Sequence, residues 1–401
     1  MAIYKNIVKK IPVSADKKIK QKQYLSKGLL PIIDQGQQVI AGYTDDTEKQ
    51  IECDYPVIVF GDHTRCVKLV DFPFAPGADG IKVIKPIDES VNINYLFYAT
   101  KYLASKIRDK GYARHYQDVE KQSLEIPLLQ EQKRIVSKIE ELFSSLDNSV
   151  EILNKTKKQL VVYRQAVLKE AFEGKWSYKR RTNINSDFRF KEVLDKDKMN
   201  VLPNGWEYVY LSDLGDLSRG KSKHRPRNDE RLFENGKYPF FQTGDVKSAK
   251  KRMVECEKKY GEFGLAQSKL WPAGTLCITI AANIAETSFL GVDGCFPDSI
   301  VGFTPNSSMV NKEYVRYFIE SSKQRLWAFA PATAQKNINL STLENLVIPY
   351  CSLDEQKYIV NNIESRLSEC ESIEAVVETA LLQAEVLRQS ILKEAFEGRL
   401  I

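Results

Sequence analysis

The sequence predicts an α+β protein with pseudo-twofold organisation: two β-rich globular domains separated by an antiparallel pair of long coiled-coil helices. Three observations carry that expectation. A segment in the middle of the chain recurs near its end, each copy has the pattern of one long helix, and the stretch before each copy reads as short strands between Gly, Pro and Asp turns.

Glu131-Gln132-Lys133 returns as Glu355-Gln356-Lys357, and Ile135-Val136, Ile139-Glu140 and Arg164-Gln165 return at Ile359-Val360, Ile363-Glu364 and Arg388-Gln389. The heptapeptide Leu-Lys-Glu-Ala-Phe-Glu-Gly ends both copies, at 168–174 and 392–398, and every match is offset by 224 residues. A constant offset implies matched parts of equal length. In the first copy Ile139, Leu146, Leu153, Leu160 and Val167 stand seven apart, with Ile135, Leu142, Ser149, Thr156 and Tyr163 as a companion seam. Ile363, Cys370, Val377, Ala384 and Ile391 repeat the first series, beside Ile359, Ile373, Ala380 and Leu387. Neither copy contains Pro or an internal Gly, and Gly174 and Gly398 supply C-caps. Each helix would run on the order of 60 Å. Its partner is its twin in the same chain, or else the two copies are independent dimerisation arms.

Residues 124–127 and 345–349 each read as a short strand closed by proline, and lead into the helices. Strands are also expected at 57–60, 81–84, 275–280 and 299–303, and shorter helices at 92–109 and 311–327. The boundaries read as domain 1–127, helix 128–174, surface linker 175–201, domain 202–349 and helix 350–401.

Composition narrows the class. The 401 residues are 43% hydrophobic, enough for more than one core, and Lys plus Arg outnumber Asp plus Glu 59 to 53, a mild net charge of +6. No apolar run approaches the ~18 residues of a membrane span, and residues 1–12 carry Lys5, Lys9 and Lys10. Seven cysteines without a C-x-x-C and three histidines give no zinc spacing, so reduced thiols in cytoplasm are expected.

With these motifs the chain resembles the specificity subunit of type I restriction-modification systems. Further matches are Leu202-Pro203-Asn204-Gly205-Trp206-Glu207, the run from Tyr238 to Asp245, and Thr333-Ala334-Gln335-Lys336-Asn337-Ile338. In the first half Pro31-Ile32-Ile33-Asp34-Gln35-Gly36 looks like the counterpart of Tyr238 to Gly244, but residues 1–28 lack a Gly-Trp-Glu opening. The resemblance implies two target-recognition domains that each read half of a bipartite sequence in double-stranded DNA, with the long helices as a ruler for the spacer. It implies no catalysis in this chain. Two methyltransferase subunits and the restriction/translocase subunits would be its partners, and S-adenosylmethionine, ATP and magnesium would be bound there, for adenine N6 methylation and cleavage.

The segment 215–222 fits G-x-x-x-x-G-K-S, a phosphate loop, yet Pro226 and the run Lys223-His224-Arg225-Pro226-Arg227 follow where a helix should open. No glycine-rich cofactor turn with an Asn/Asp-Pro-Pro-Tyr/Phe floor is present, and Asp293 with Asp298 lacks the Lys of a nuclease cluster. The alternatives to DNA reading are a coiled-coil scaffold whose domains bind protein, and a nucleotide hydrolase. Candidate DNA contacts in the first domain are Lys20, Lys22, Gln35, His63, Thr64, Arg65, Arg114 and His115. In the second they are Arg219, Lys221, Lys223, Arg225, Arg227, Gln242, Thr243, Lys247, Lys250, Gln335 and Lys336. Lys and Arg would take phosphates while Gln, Thr and His read base edges.

Overall fold

The computed structural model describes residues 1–77, 80–108, 110–179, 184, 188–249, 251–328 and 337–400. They form two compact units, Met1–Thr156 with Ala375–Ile401, and Lys157–Glu374. Each unit therefore owns part of each long helix. No described helix is long and apolar enough to cross a membrane.

In the first unit an antiparallel sheet runs in the order Val8–Ile11, Ile81–Pro86, Val57–Gly61, Val67–Val70. The central strand Val57–Gly61 is buried at every position, because both its faces are covered. Alternation sorts its side chains: Ile58 and Phe60 enter a core with the helix Ile93–Ser105, while Val57 and Val59 enter another with Ile33, Ile51 and Phe74. A three-stranded sheet, Gly42–Thr44, Leu30–Ile33 and Ala75–Pro76, supplies Ile33.

The second unit has a five-stranded sheet in the order Gly215–Arg219, Ile300–Pro305, Leu276–Thr279, Thr287–Leu290, Arg252–Met253. Here Leu276 and Ile278 face the core that holds helix Lys312–Ser321, and Cys277 faces the opposite cluster with Phe241, Trp271 and Phe296. The helix expected over 311–327 is two, Lys312–Ser321 and Lys323–Ala328.

Opening strands also correspond. Glu207–Tyr210 pairs antiparallel with Val347–Tyr350, and Ala2–Ile3 pairs in the same sense with Ser123–Leu124. The first half thus has an opening strand without the Gly-Trp-Glu motif. Trp206 accounts for one asymmetry: its Nε1 donates to the buried Glu355 carboxylate at 2.9 Å, whereas Glu131, with no such tryptophan, is exposed.

The long helices are Leu129–Phe172 and Leu353–Phe396, 44 residues each, and Gly174 and Gly398 follow at φ 68° and 73°. A Cβ at Gly174 would meet the Pro203 ring at 2.6 Å, so that site is closed to side chains on two counts. Each helix start is clamped by its fully buried glutamine. Gln132 Oε1 accepts from Asn92 N at 2.8 Å and its Nε2 donates to the Ser90 and Pro127 carbonyls, both at 2.9 Å. Gln356 does the same with Asn311 N at 2.9 Å and the Met309 and Cys351 carbonyls at 3.3 and 2.8 Å. Asn92 and Asn311 in turn cap the shorter helices, accepting from Tyr95 N and Tyr314 N.

The heptapeptides dock on those same helices. Phe172 lies edge-on to Tyr314 and Phe318, with ring centroids 5.0 and 5.1 Å away, and Phe396 meets Tyr95 and Tyr102 at 5.2 and 5.4 Å. Of the two predicted seams only one closes. Ile139, Leu146, Leu160 and Val167 are buried, as are Ile363, Cys370, Val377, Ala384 and Ile391. The companion seam opens to water at Ser149, Tyr163, Ile373 and Leu387. Ion pairs flank the closed seam: Arg164 with Glu374 at 2.9 Å in the second unit, and Arg388 with Asp147 in the first. The expected surface linker 175–201 is exposed throughout 194–201 and is pinned to the fold at a few points before that. Trp176, Ile184 and Phe190 pack on the second core, Val193 is buried, and Arg366 stacks on Trp176 at 4.7 Å.

Candidate nucleic-acid interface

In the first unit the candidate readers converge at the end of the central strand. Past Gly61 the chain turns back through Arg65, whose φ of 60° is left-handed, and Arg65 N donates to Gly61 O at 2.8 Å. Asp62 is buried beneath the turn. Its Oδ1 accepts from Tyr116 N at 2.9 Å, its backbone N donates to Gly80 O at 2.6 Å, and its backbone O accepts from His115 N at 2.9 Å. On top sit Gln35, His63 and Thr64. Gln35 Oε1 accepts from His63 N at 3.3 Å, and Thr64 Oγ1 donates to Gln35 O at 2.5 Å. Gly80, at φ 101°, passes so close that a Cβ would lie 2.8 Å from Gln35 Oε1 and 2.9 Å from His63 Cδ2. Behind Gln35, Lys68 Nζ donates to Asp34 O at 2.7 Å, and burial pulls its ammonium below the ordinary lysine range while Asp34 works the other way.

Not every candidate here faces outward. His115 is fully buried; its Nδ1 donates to Asp62 O at 3.0 Å and its Nε2 accepts from Lys110 N at 3.3 Å. Its role is to support the turn, and the expectation of a DNA contact is corrected. Arg65 is half-buried and spends Nη1 on Ile107 O at 2.8 Å. Arg114, Lys20 and Lys22 are exposed. Sequence reasoning missed Tyr112, 83% exposed, whose ring lies flat on His63 at 4.0 Å with 5° between planes. Its place two residues before Arg114 was the available signal.

In the second unit the candidates gather on the segment 295–298. Phe241 N donates to Cys295 O at 2.8 Å, which sets Gln242 and Thr243 at the start of helix Thr243–Ser248, where Gln242 N donates to Asp245 Oδ2 at 2.6 Å. Lys221 N donates to Phe296 O at 3.0 Å, and Arg219 and Arg227 donate to the Asp298 backbone O and carboxylate at 3.0 and 2.7 Å. Arg225 is tied by Nη1 to the Ser222 and His224 carbonyls at 2.7 and 2.8 Å. Below it the Arg231 guanidinium, then the His224 ring, hold the Asp229 carboxyl well under the ordinary carboxylate range. Lys223 and Lys247 are exposed, Lys247 Nζ lying 3.5 Å from Asn283 Oδ1. Lys250, Gln335 and Lys336 lie outside the described residues.

The phosphate-loop pattern at 215–222 has a different fold. Gly215–Arg219 is a strand paired with Ile300–Pro305, and Gly220 N then donates to Ile300 O, so no helix opens on this loop.

Each unit thus presents polar side chains and cations on a backbone-braced loop cluster. The chain matches the Type I restriction modification DNA specificity domain twice, over residues 7–161 and 203–379, and it belongs to that family. It is 26% identical to the EcoBI specificity subunit of Escherichia coli over 297 residues, which span 69% of this chain and 58% of that protein. Its fold is similar to a chain solved in work on complex assembly and conformational transition of the type I R-M system, with a TM-score of 0.68 and 18% identity, covering 95% and 91% of the two chains. It is also similar to the HsdS subunit from Thermoanaerobacter tengcongensis, with a TM-score of 0.57 and 18% identity over 99% and 96%.

Proposed function

We propose that this chain is the DNA-reading, non-catalytic subunit of a type I restriction-modification complex. The observation that carries the reading is the doubled family match, laid over a loop cluster in each unit, at the end of strand Val57–Gly61 in the first and on segment 295–298 in the second. Each domain reads one half of a two-part duplex sequence. Two methyltransferase subunits and the restriction/translocase subunits assemble on the chain in the cytoplasm, and S-adenosylmethionine, ATP and magnesium belong to them. The cations among the candidates, Arg114 and Lys223 among them, take phosphates and supply affinity without sequence, while Gln35, His63, Thr64, Gln242 and Thr243 take base edges.

Methylome mapping of cells that express the chain with its methyltransferase partner tests this. The expected result is methylated adenines in a bipartite sequence, of which only one half changes when residues 202–349 are exchanged for another family member's second domain. Changes in both halves would refute the assignment of one domain to each half.

A further inference from the structure

His63 is held so that only one of its ring nitrogens can meet a ligand, and the fold decides what that nitrogen offers. Nδ1 lies 3.0 Å from Ala113 O, a carbonyl that can only accept. The neutral ring therefore carries its proton on Nδ1, and Nε2 is left with a lone pair. That nitrogen has no hydrogen-bond partner among the described residues, and Tyr112 covers one ring face at 4.0 Å, fixing the plane in which the lone pair points. The neighbouring Gln35 is oriented by the same logic. Because its Oε1 accepts from the His63 backbone N–H, its amide NH2 is the end left for a ligand.

The pair thus offers an acceptor beside a donor. In the major groove the complement is an exocyclic amine beside an acceptor, which adenine presents as N6–H2 with N7, and a C·G pair presents as cytosine N4–H2 with guanine O6. Guanine alone, with two acceptors, would leave the Nε2 lone pair facing a lone pair. Thymine offers an acceptor and a methyl group, and no donor.

We propose that His63 Nε2, with the Gln35 amide beside it, reads a base exocyclic amine in the half-site recognised by the first domain. The proposal rests on the DNA-reading function above and narrows it to one side chain and one functional group.

The test uses the full chain assembled with its methyltransferase partner and a duplex carrying the sequence found by methylome mapping. Position by position, purine replaces adenine and 2-pyrimidinone replaces cytosine, so that one amine is deleted at a time; the two arms separate the adenine source from the cytosine source. The wild-type complex should lose about tenfold in affinity at one amine of the first domain's half-site. His63→Phe, which keeps a ring against Tyr112 but no acceptor, should bind the intact duplex about tenfold more weakly and be indifferent to deletion of that amine alone. A second variant, Gln35→Ala, should leave the His63 requirement in place while lowering affinity, which guards against a general loss of fold. If His63→Phe keeps the full penalty for every deleted amine, the proposal is overturned and the function stands. If the wild-type complex shows no sequence preference at all, the functional reading fails and takes this proposal with it.

Discussion

The turn that leaves the central strand of the first unit and its counterpart in the second share a backbone and almost no side chains. Gly61 N bonds Cys66 O, Arg65 N bonds Gly61 O, Asp62 N bonds Gly80 O and His115 N bonds Asp62 O. The second unit repeats this with Thr279 N to Glu286 O, Ala285 N to Thr279 O, Ile280 N to Ser299 O and Ile338 N to Ile280 O. Arg65 and Ala285 even share their left-handed φ, 60° and 61°. Inside that frame a buried Asp62 and His115 become a buried Ile280 and Ile338. The helix starts behave in the opposite way, since Gln132 and Gln356 repeat atom for atom. Main-chain bonding makes this turn independent of its residues, so its content can differ between units, while the scaffold clamp runs through one side chain.

The strongest test of that contrast is Gln132→Ala against Gln356→Ala. Each should cost about 3 kcal/mol, because a buried N–H and two buried carbonyls lose their partner, and the two losses should match. Urea unfolding with amide exchange at each helix start measures it; a large inequality would break the equivalence. Next come the neighbouring glutamates. Glu355→Ala should cost about 2 kcal/mol by orphaning Trp206 Nε1, whereas Glu131→Ala, at an exposed site, should stay within about 0.5 kcal/mol. Smaller again is Lys221→Ala with Arg225→Ala: all DNA should bind more weakly, and the slope of log affinity against log salt should fall by up to ~2. An unchanged slope would place that loop away from phosphates.

The smallest effect is on pH. Asp229 titrates below its ordinary 3.8 in the fold, so its contribution is full above that value and is lost as the pH falls below it. Exchange protection of Arg231 N, which donates to Asp229 Oδ1 at 3.1 Å, should decline in that acid window, and Asp229→Asn should remove the dependence.

Much of this was legible in the sequence because it is periodic or repeated. The ungapped repeats 131–174 and 355–398 lie within two residues of Leu129–Phe172 and Leu353–Phe396, the end glycines mark the caps, and the second helix, expected over 350–401, stops at Phe396. The match of Pro31 to Gly36 with Tyr238 to Gly244 reappears as parallel pairings, Ile32 with Ala75 and Phe240 with Cys295. What could not be read depends on partners distant in the chain. Glu-Gln-Lys looked like a helix start, and nothing local says that Gln132 reaches Ser90 and Asn92. His115 looked like a polar loop residue because its burial comes from Asp62, 53 positions earlier. The companion seam followed the heptad but opened, since two helices with a single closed stripe leave the other to water. The linker reads as polar because its anchors, Trp176, Ile184, Phe190 and Val193, are spaced among charges.

The way the heptapeptides dock has a consequence for synthesis. The core of the first unit contains Ile391, Leu392 and Ala395, so this unit is completed only after the whole of the second has been synthesised. Until Phe396 emerges, the helix Ile93–Ser105 carries a bare aromatic groove at Tyr95 and Tyr102, whereas the second unit finds Phe172 already made. A chain broken off before Ile391 would therefore be damaged in the first unit rather than in the second.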